Sequence, residues 1–233
     1  AAEVAHELRT PLTILRSQVE GLRVGVVQPG PAALTSLDEE VQRMSRLVAD
    51  LQILGSADAA GFSLERTHTD LGKLADETAR EFSGLFEGAE VTLQTRLEPA
   101  PAWADPARVG QILANLLSNA LKYTPQGGLV RVQVTTEGTW AVIRVSDTGP
   151  GIPPDELPHV FDRFFRGRTA RPTGTGIGLT VVSELAQAHG GTAEVASQPG
   201  QGTTFTVRLP AQATPPHNRF LTGPSRPLPS VKT

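Results

Sequence analysis

Val4-Ala5-His6-Glu7-Leu8-Arg9-Thr10-Pro11-Leu12-Thr13 places one histidine beside a carboxylate on a stretch that reads as an amphipathic helix. At about 100° per residue, Val4, Leu8, Leu12, Leu15, Val19, Leu22 and Val26 share one stripe roughly 80° wide. On the same projection His6 lies about 165° from the centre of that stripe, and Thr10 and Thr13 fall within roughly 40° of His6. The helix therefore buries one side and holds His6 in solvent with two hydroxyls nearby. The spacing predicts this helix over 1–27, and Gln28-Pro29-Gly30-Pro31 breaks it. A second helix follows, in which Leu34, Leu37, Val41, Met44, Val48 and Leu51 alternate three and four apart as a heptad seam. Two helices joined by a short turn make a hairpin whose apolar side is half covered. Pairing with a second copy as a four-helix bundle covers it; packing on the chain's own downstream domain is the alternative.

At 233 residues the chain can hold one or two domains with real cores. A net charge of −3 exerts no general pull toward nucleic acid or anionic membrane. The absence of cysteine excludes disulfides, thiolate catalysis and Cys-type zinc sites, and it suits a reducing cytosol. No run of about 18 apolar residues occurs, so nothing here spans a membrane, and there is no signal peptide. The chain begins at Ala1 and its only methionine is Met44, so it reads as part of something longer that can include membrane helices.

Gly55-Ser56-Ala57-Asp58-Ala59-Ala60-Gly61 has the composition of a linker. Beyond it the pattern becomes mixed α/β. Asp70 can cap a helix from about Leu71 to Leu85, and Val91–Leu97 alternates like a strand. Asp105-Pro106 is an N-cap followed by proline in the first turn of a helix that runs to about Tyr123. Val130–Thr136 and Trp140–Ser146 read as strands joined by Glu137-Gly138-Thr139. Gly178–His189 is a helix stopped by Gly190-Gly191. Thr192–Ser197 and Thr203–Leu209 close as a hairpin, and the proline-rich tail from Pro210 on is expected to be disordered. The expected division is a helical hairpin at 1–56, a linker at 57–69, an α/β domain at 70–210 and a tail at 211–233.

Four blocks in the α/β region carry chemistry. Asn115, Asn119 and Lys122 stand at i, i+4 and i+7, hence on one helical face. A carboxamide oxygen is a hard, neutral ligand suited to Mg²⁺ that already bridges phosphates, and a lysine beside it can meet a phosphate. Asp147-Thr148-Gly149-Pro150-Gly151-Ile152-Pro153 follows a buried-looking strand, so the acid is aimed into whatever lies beyond the strand end, and glycines let backbone approach a flat ligand. Phe161-Asp162-Arg163-Phe164-Phe165-Arg166-Gly167 sets aromatic anchors beside a cationic loop, which suits a lid over phosphates or, equally, a piece of core. Gly174-Thr175-Gly176-Ile177-Gly178-Leu179 opens a helix, and glycine-rich backbone there offers free N–H groups to anions. It lacks a P-loop lysine and follows no strand, so it is not a dinucleotide fingerprint. Taken singly, the asparagine face also reads as a solvated surface and the Asp-Gly segment as an ordinary turn.

Together and in this order, the blocks resemble the transmitter core of bacterial sensor histidine kinases over about residues 1–210. His6-Glu7-Leu8-Arg9-Thr10-Pro11-Leu12 is similar to their phosphoacceptor box, Asn115 to Tyr123 to the N box, and Asp147 to Ile152 to the first glycine box. Phe161 to Phe165 resembles the F box, Gly174 to Leu179 the second glycine box, and Gly202-Thr203-Thr204-Phe205 the start of the final strand. The fold class this implies is α + α/β: a helical hairpin forming a dimeric four-helix bundle, followed by an α/β sandwich of the Bergerat type that binds ATP.

The resemblance implies ATP-dependent autophosphorylation of His6 and phosphotransfer to the aspartate of a response regulator receiver domain, with phosphatase activity on that regulator. His6 would accept the phosphoryl group, Glu7 would act as general base, and Thr10 would orient water toward the regulator's phosphoaspartate. Asn119 would bind Mg²⁺ and Asn115 would support the same face. Lys122 and Tyr123 would contact phosphate and nucleotide, and Asp147 would accept a hydrogen bond from the adenine amine. Gly149 and Gly151 would line the adenine. Gly174, Gly176 and Gly178 would hinge the lid and contact phosphate; Thr175, Ile177, Leu179 and Phe164 belong to the same nucleotide site, and Thr204 would back the adenine end. The implied cofactors are ATP and Mg²⁺. The implied partners are the receiver domain and a second copy, with no nucleic acid and no membrane contact in these residues. The implied place is the cytoplasmic side of a membrane-anchored sensor.

Two departures stand out. Ala5 occupies a position where the family often has serine, with little effect expected. Little of the first helix precedes His6, so these residues alone are expected to dimerise weakly. Other readings are a phosphatase-biased or receiver-docking module, and a hydrolytic ATPase like the type II topoisomerases and mismatch-repair proteins that share this nucleotide-binding fold. Those hydrolases place a glutamate where this chain has Asn115, and a carboxamide cannot act as a base.

Overall fold

The structure is a computed structural model and describes residues 2–38, 40, 41, 44, 45, 48, 63–168 and 176–211. Residues 57–62 of the linker expected at 57–69, Gly174, Thr175, and all of the tail beyond its first residue lie outside the described residues. Helix α1 (Ala2–Arg23) carries the histidine stretch, with Pro11 inside it. It stops at Arg23 rather than Val27, because Gly25 adopts φ +75° and the Val27 N–H bonds back to the Gly21 carbonyl at 2.9 Å. Helix α2 is helical over 31–38 and at 40, 41, 44, 45 and 48.

The apolar positions of this hairpin separate into two rows. Leu15, Leu22, Leu37 and Met44 are half-buried, and Gln18 Nε2 donates to Ser36 Oγ at 2.9 Å between the helices. Leu12, Val19, Leu34, Val41 and Val48 instead are 44–67% exposed. A stripe that is continuous on a projection thus serves two faces, one inside the hairpin and one outside.

The α/β part is a five-stranded sheet in the order β2 (Thr92–Leu97), β4 (Leu129–Glu137), β5 (Trp140–Asp147), β7 (Thr203–Pro210), β6 (Thr192–Ser197). Strand β2 runs parallel to β4, and the other pairs are antiparallel. Alternation puts residues i and i+2 on one face. Val132, Val145, Phe205 and Val195 therefore form one row across the sheet, and Val134, Ile143, Val207 and Ala193 the next. Helices α3 (Leu71–Gly88), α4 (Pro106–Tyr123) and α5 (Gly178–Ala188) pack on these rows through Leu71, Phe86, Ile112, Leu116, Val181 and Leu185 in one core. A 3₁₀ turn spans Leu157–His159.

The expected helices and the strands of the main sheet are present within a few residues. A second, two-stranded sheet was not expected: β1 (Thr67–Asp70) pairs antiparallel with β3 (Pro101–Ala104). The interval 57–69 expected as linker therefore ends in a strand. Thr-His-Thr-Asp and Pro-Ala-Trp-Ala have no apolar alternation to announce a strand; pairing and the edge contact of His68 on Trp103, ring centroids 4.8 Å apart, supply what the pattern lacks.

Asp105 ties three elements together. Its Oδ1 accepts the Arg108 N–H at 3.2 Å as the N-cap of α4, Oδ2 accepts the Glu65 N–H at 3.0 Å, and its own N–H donates to His189 Nε2 at 3.0 Å. His189 Nδ1–H then donates to the Leu185 carbonyl at 2.7 Å, which fixes the neutral tautomer at the end of α5. Burial pushes the His189 pKa below its ordinary 6.5. The unfolded chain thus takes up this proton first as the pH falls. The His189 contribution is full above about pH 6.5 and is lost as the pH drops toward the lowered value. Urea midpoints at pH 8 and pH 5.5 should show the loss, and His189→Gln should flatten that part of the profile.

Candidate active site

The same alternation that builds the core aims Asp147. It follows Ala141, Ile143 and Val145 on the inner face of β5, but stands at the strand end, in register with Val130 and Thr203. There Asp147 opens on a cleft of about 260 Å³. Burial raises its pKa above its ordinary value, against the backbone N–H groups of Gly149 and Thr203 that stabilise the charge. The Gly149 N–H reaches Asp147 Oδ1 at 2.8 Å. Gly149 itself is not part of the cleft wall. A Cβ there would stand 2.7 Å from Asp147 Oδ1, so this glycine is needed to hold the acid.

Opposite Asp147, α4 buries Val109, Ile112, Leu113, Leu116, Leu117 and Ala120 and turns its other side to the cleft. Asn115, Asn119 and Lys122 all line it, joined by Ser118 and Tyr123. Lys122 Nζ sits 4.9 Å from the centre of the Tyr123 ring. Asn115 Nδ2 donates to the Gly178 carbonyl at 3.3 Å and so braces the first residue of α5. Gly176, Gly178 and Leu179 also line the cleft, with Gly176 at φ +68°. Gly178 lacks a Cβ where one would stand 3.7 Å from the Asn115 side chain.

Gly151, at φ +72°, lines the cleft and presses on the β6–β7 turn, where a Cβ would come within 2.1 Å of the Gln198 carbonyl oxygen. That turn holds the 150–152 segment through Gly200 N–H to the Pro150 carbonyl at 2.7 Å and Ile152 N–H to Ser197 Oγ at 2.9 Å.

Some residues picked from the sequence stand elsewhere. Thr204 is of opposite parity to Thr203 on β7; its Oγ1 meets Ser146 Oγ at 2.9 Å on the outer face of the sheet, and Thr203 lines the cleft instead. Ile177 is fully buried core, and Phe164 packs against the core while Phe165 reaches the cleft. Gly174 and Thr175 lie outside the described residues, as do the side chains of His6, Glu7 and Thr10, whose backbone belongs to α1. Several cleft residues were not picked as site residues, Ser118, Arg166 and Glu156 among them. Ser118 follows from the same helical spacing as its neighbours, Arg166 stands inside the quoted aromatic block as part of its cationic loop, and Glu156 carries no sequence signal at all.

Comparison with known proteins agrees with this geometry. Residues 1–60 match the family described as His Kinase A (phospho-acceptor) domain, and residues 104–213 match the histidine kinase-, DNA gyrase B- and HSP90-like ATPase family. The chain is 39% identical over 214 residues to the probable sensor histidine kinase TcrY of Mycobacterium tuberculosis, covering 90% of this chain and 45% of that protein. It is 37% identical over 225 residues to the sensor histidine kinase WalK of Bacillus subtilis, of which it covers 36%. The chain thus spans less than half the length of these relatives. Among solved structures, the histidine kinase AdeS of Acinetobacter baumannii superposes with a TM-score of 0.72 at 27% identity, covering 89% of this chain and 98% of that one. The mycobacterial sensor histidine kinase MprB, 32% identical, superposes with a TM-score of 0.57 over 62% of this chain and 97% of its own. With a phosphoacceptor hairpin matched at one end and an ATP-binding sandwich at the other, the chain belongs to the sensor histidine kinases.

Proposed function

We propose that the protein transfers the γ-phosphoryl group of ATP to His6 and then to an aspartate on the receiver domain of a response regulator. The observation that carries this reading is the convergence of Asn119, Lys122, Asp147 and the glycine-bounded start of α5 on one cleft, with an asparagine rather than a glutamate at 115. Asn119 offers a neutral, hard oxygen, and among the described residues no group of three or more His, Cys, Asp or Glu could hold a metal by itself. Mg²⁺ is accordingly read as arriving with the triphosphate, whose charge it neutralises. A lone pair of the neutral imidazole forms the bond to the γ-phosphorus. The bond from that phosphorus to the β–γ bridging oxygen breaks, ADP leaves with the electron pair, and Glu7 takes the ring proton.

Asp147 suits the adenine amine because a half-buried carboxylate at the strand end is an acceptor with no donor of its own. Asp147→Asn is expected to weaken ATP binding by about 1.5–3 kcal/mol, tenfold to roughly a hundredfold, as read by calorimetry. Wild-type affinity should also fall as the pH drops through the raised Asp147 pKa, and the variant should lack that dependence.

The outward rows at Leu12 and Val19 on α1 and at Leu34, Val41 and Val48 on α2 support a second copy of the hairpin as their cover. Thr10 is assigned to phosphatase action on the regulator, and the full-length parent to a membrane-anchored sensor; none of the described helices is long and apolar enough to cross a membrane. Incubation with γ-labelled ATP and Mg²⁺ tests the central reading. A label on the chain that is acid-labile and alkali-stable supports it, and steady phosphate release without label favours the hydrolytic ATPase.

A further inference from the structure

Glu156 stands at the edge of the cleft with its side chain only 9% exposed. Its Oε1 accepts two hydrogen bonds from one residue, the Arg168 backbone N–H at 3.0 Å and the Arg168 Nε–H at 3.1 Å. Its Oε2 lies so close to Gly167 that a Cβ there would be 2.1 Å away. Arg168 also pairs with Asp155. The carboxylate of Glu156 and then the charge of Asp155 hold the guanidinium pKa above its ordinary value.

A second clamp lies just upstream. Phe164 adopts φ +63°, a left-handed conformation that a bulky residue rarely takes. Its N–H donates to the Gly176 carbonyl at 3.1 Å. A Cβ on Gly176 would stand 2.8 Å from both the Phe164 carbonyl carbon and the Phe165 oxygen. Between the two clamps are Phe165 and Arg166, and both line the cleft. A strained backbone of this kind persists only when its surroundings over-determine it.

We infer that Glu156 is a positioning residue for phosphoryl transfer: it grips Gly167 and Arg168 so that Arg166 is presented into the cleft. This rests on the kinase reading of the same cleft. Glu156 does its work through the segment and not by touching nucleotide. A free carboxylate facing a triphosphate would repel it, and Arg168 answers that charge through its Nε–H and backbone N–H. Phosphoryl transfer depends on placing cationic groups, so a small displacement of Arg166 costs rate more than it costs nucleotide affinity.

The test compares Glu156→Ala, Glu156→Gln, Gly167→Ala and the double variant Glu156→Ala/Gly167→Ala by three measurements. These are amide hydrogen exchange at Arg168 and Phe164 without nucleotide, ADP affinity, and the rate of chain labelling at saturating ATP. Glu156→Ala should speed exchange at Arg168 and slow labelling roughly tenfold, with ADP affinity within about twofold of wild type. Glu156→Gln should recover most of the rate, because its carboxamide oxygen still accepts the Arg168 N–H. Gly167→Ala should mimic Glu156→Ala, and the double variant should be no slower than Glu156→Ala alone.

Wild-type exchange and rate in Glu156→Ala overturn the inference. So does a parallel fall of rate and ADP affinity in both Glu156 variants, which would make Glu156 a nucleotide contact. A wild-type chain that takes no label overturns the kinase reading instead. The exchange data, which need no phosphoryl transfer, then still decide whether Glu156 grips the segment.

Discussion

His6→Gln is expected to remove all acid-labile label from the chain while leaving ATP affinity within about twofold of wild type. The loss is complete because a carboxamide nitrogen has no available lone pair to attack phosphorus, whereas a neutral imidazole has one. Glutamine keeps the length and polarity of the position and is a good helix former, so the α1 backbone is retained. The chain has five histidines, which makes the assignment a real choice. His189 is excluded by geometry, since it is 3% exposed and both ring nitrogens are engaged. His68 sits edge-on against Trp103, and His159 Nδ1 lies 2.8 Å from Asp162 Oδ2. Neither lies on an amphipathic helix with a carboxylate next to it in the sequence, as His6 does. Label that persists in His6→Gln, mapped by peptide analysis, would move the acceptor to one of those residues or to His217, which lies outside the described residues.

Gly202→Ala is expected to destabilise the ATP-binding domain by about 3 kcal/mol or more, summing a left-handed backbone that alanine disfavours with a collision that cannot relax. Gly202 has φ +83°, and a Cβ would stand 1.9 Å from the Asp147 carbonyl oxygen and 2.9 Å from its carbon. The obstacle is backbone of a central strand, so no side chain can swing aside. For a domain of this size the melting temperature should fall by roughly 6–12 °C. ATP binding should weaken as well, because the displaced carbonyl belongs to the residue assigned to adenine. The contrast is Gly110→Ala on α4, where a Cβ meets nothing within 4 Å. There the same substitution should stabilise by about 0.5–1 kcal/mol, since alanine loses less backbone entropy in a helix. Equal effects at the two positions in thermal melts would refute the steric argument.

The legible parts of this molecule are those with local causes. Asp105-Pro106 announces α4 because cap and proline act within one turn, and the helix starts at Pro106 and ends at Tyr123 as that reading requires. The asparagine face was legible for the same reason: spacing alone sets which side chains share it. Thr204 was misplaced because its role was carried over from a resemblance without checking strand parity; counting back along β7 from Phe205 puts Thr203 on the inner face. Strands β1 and β3 were illegible because four residues with no alternation are held by pairing at a distance in sequence. Glu156 was invisible because its meaning comes from Arg168, twelve residues on and across the cleft edge. The hairpin's single stripe was legible as apolar, but only packing shows that it divides into an inner and an outer row.

The sheet order β2-β4-β5-β7-β6 has β7, the last strand among the described residues, inserted between β5 and β6. Its residues Thr203 and Phe205 also form part of the cleft wall. During synthesis, β5 must therefore wait with one edge bare until residues up to Pro210 have left the ribosome. A nascent chain that already displays His6, Asn119 and Asp147 lacks the wall that completes their cleft. Nucleotide capture thus becomes a late event in the life of each chain, arriving only when the final strand seats. An arrested chain is left with an open β edge and an unfinished site, which makes it a client for chaperones.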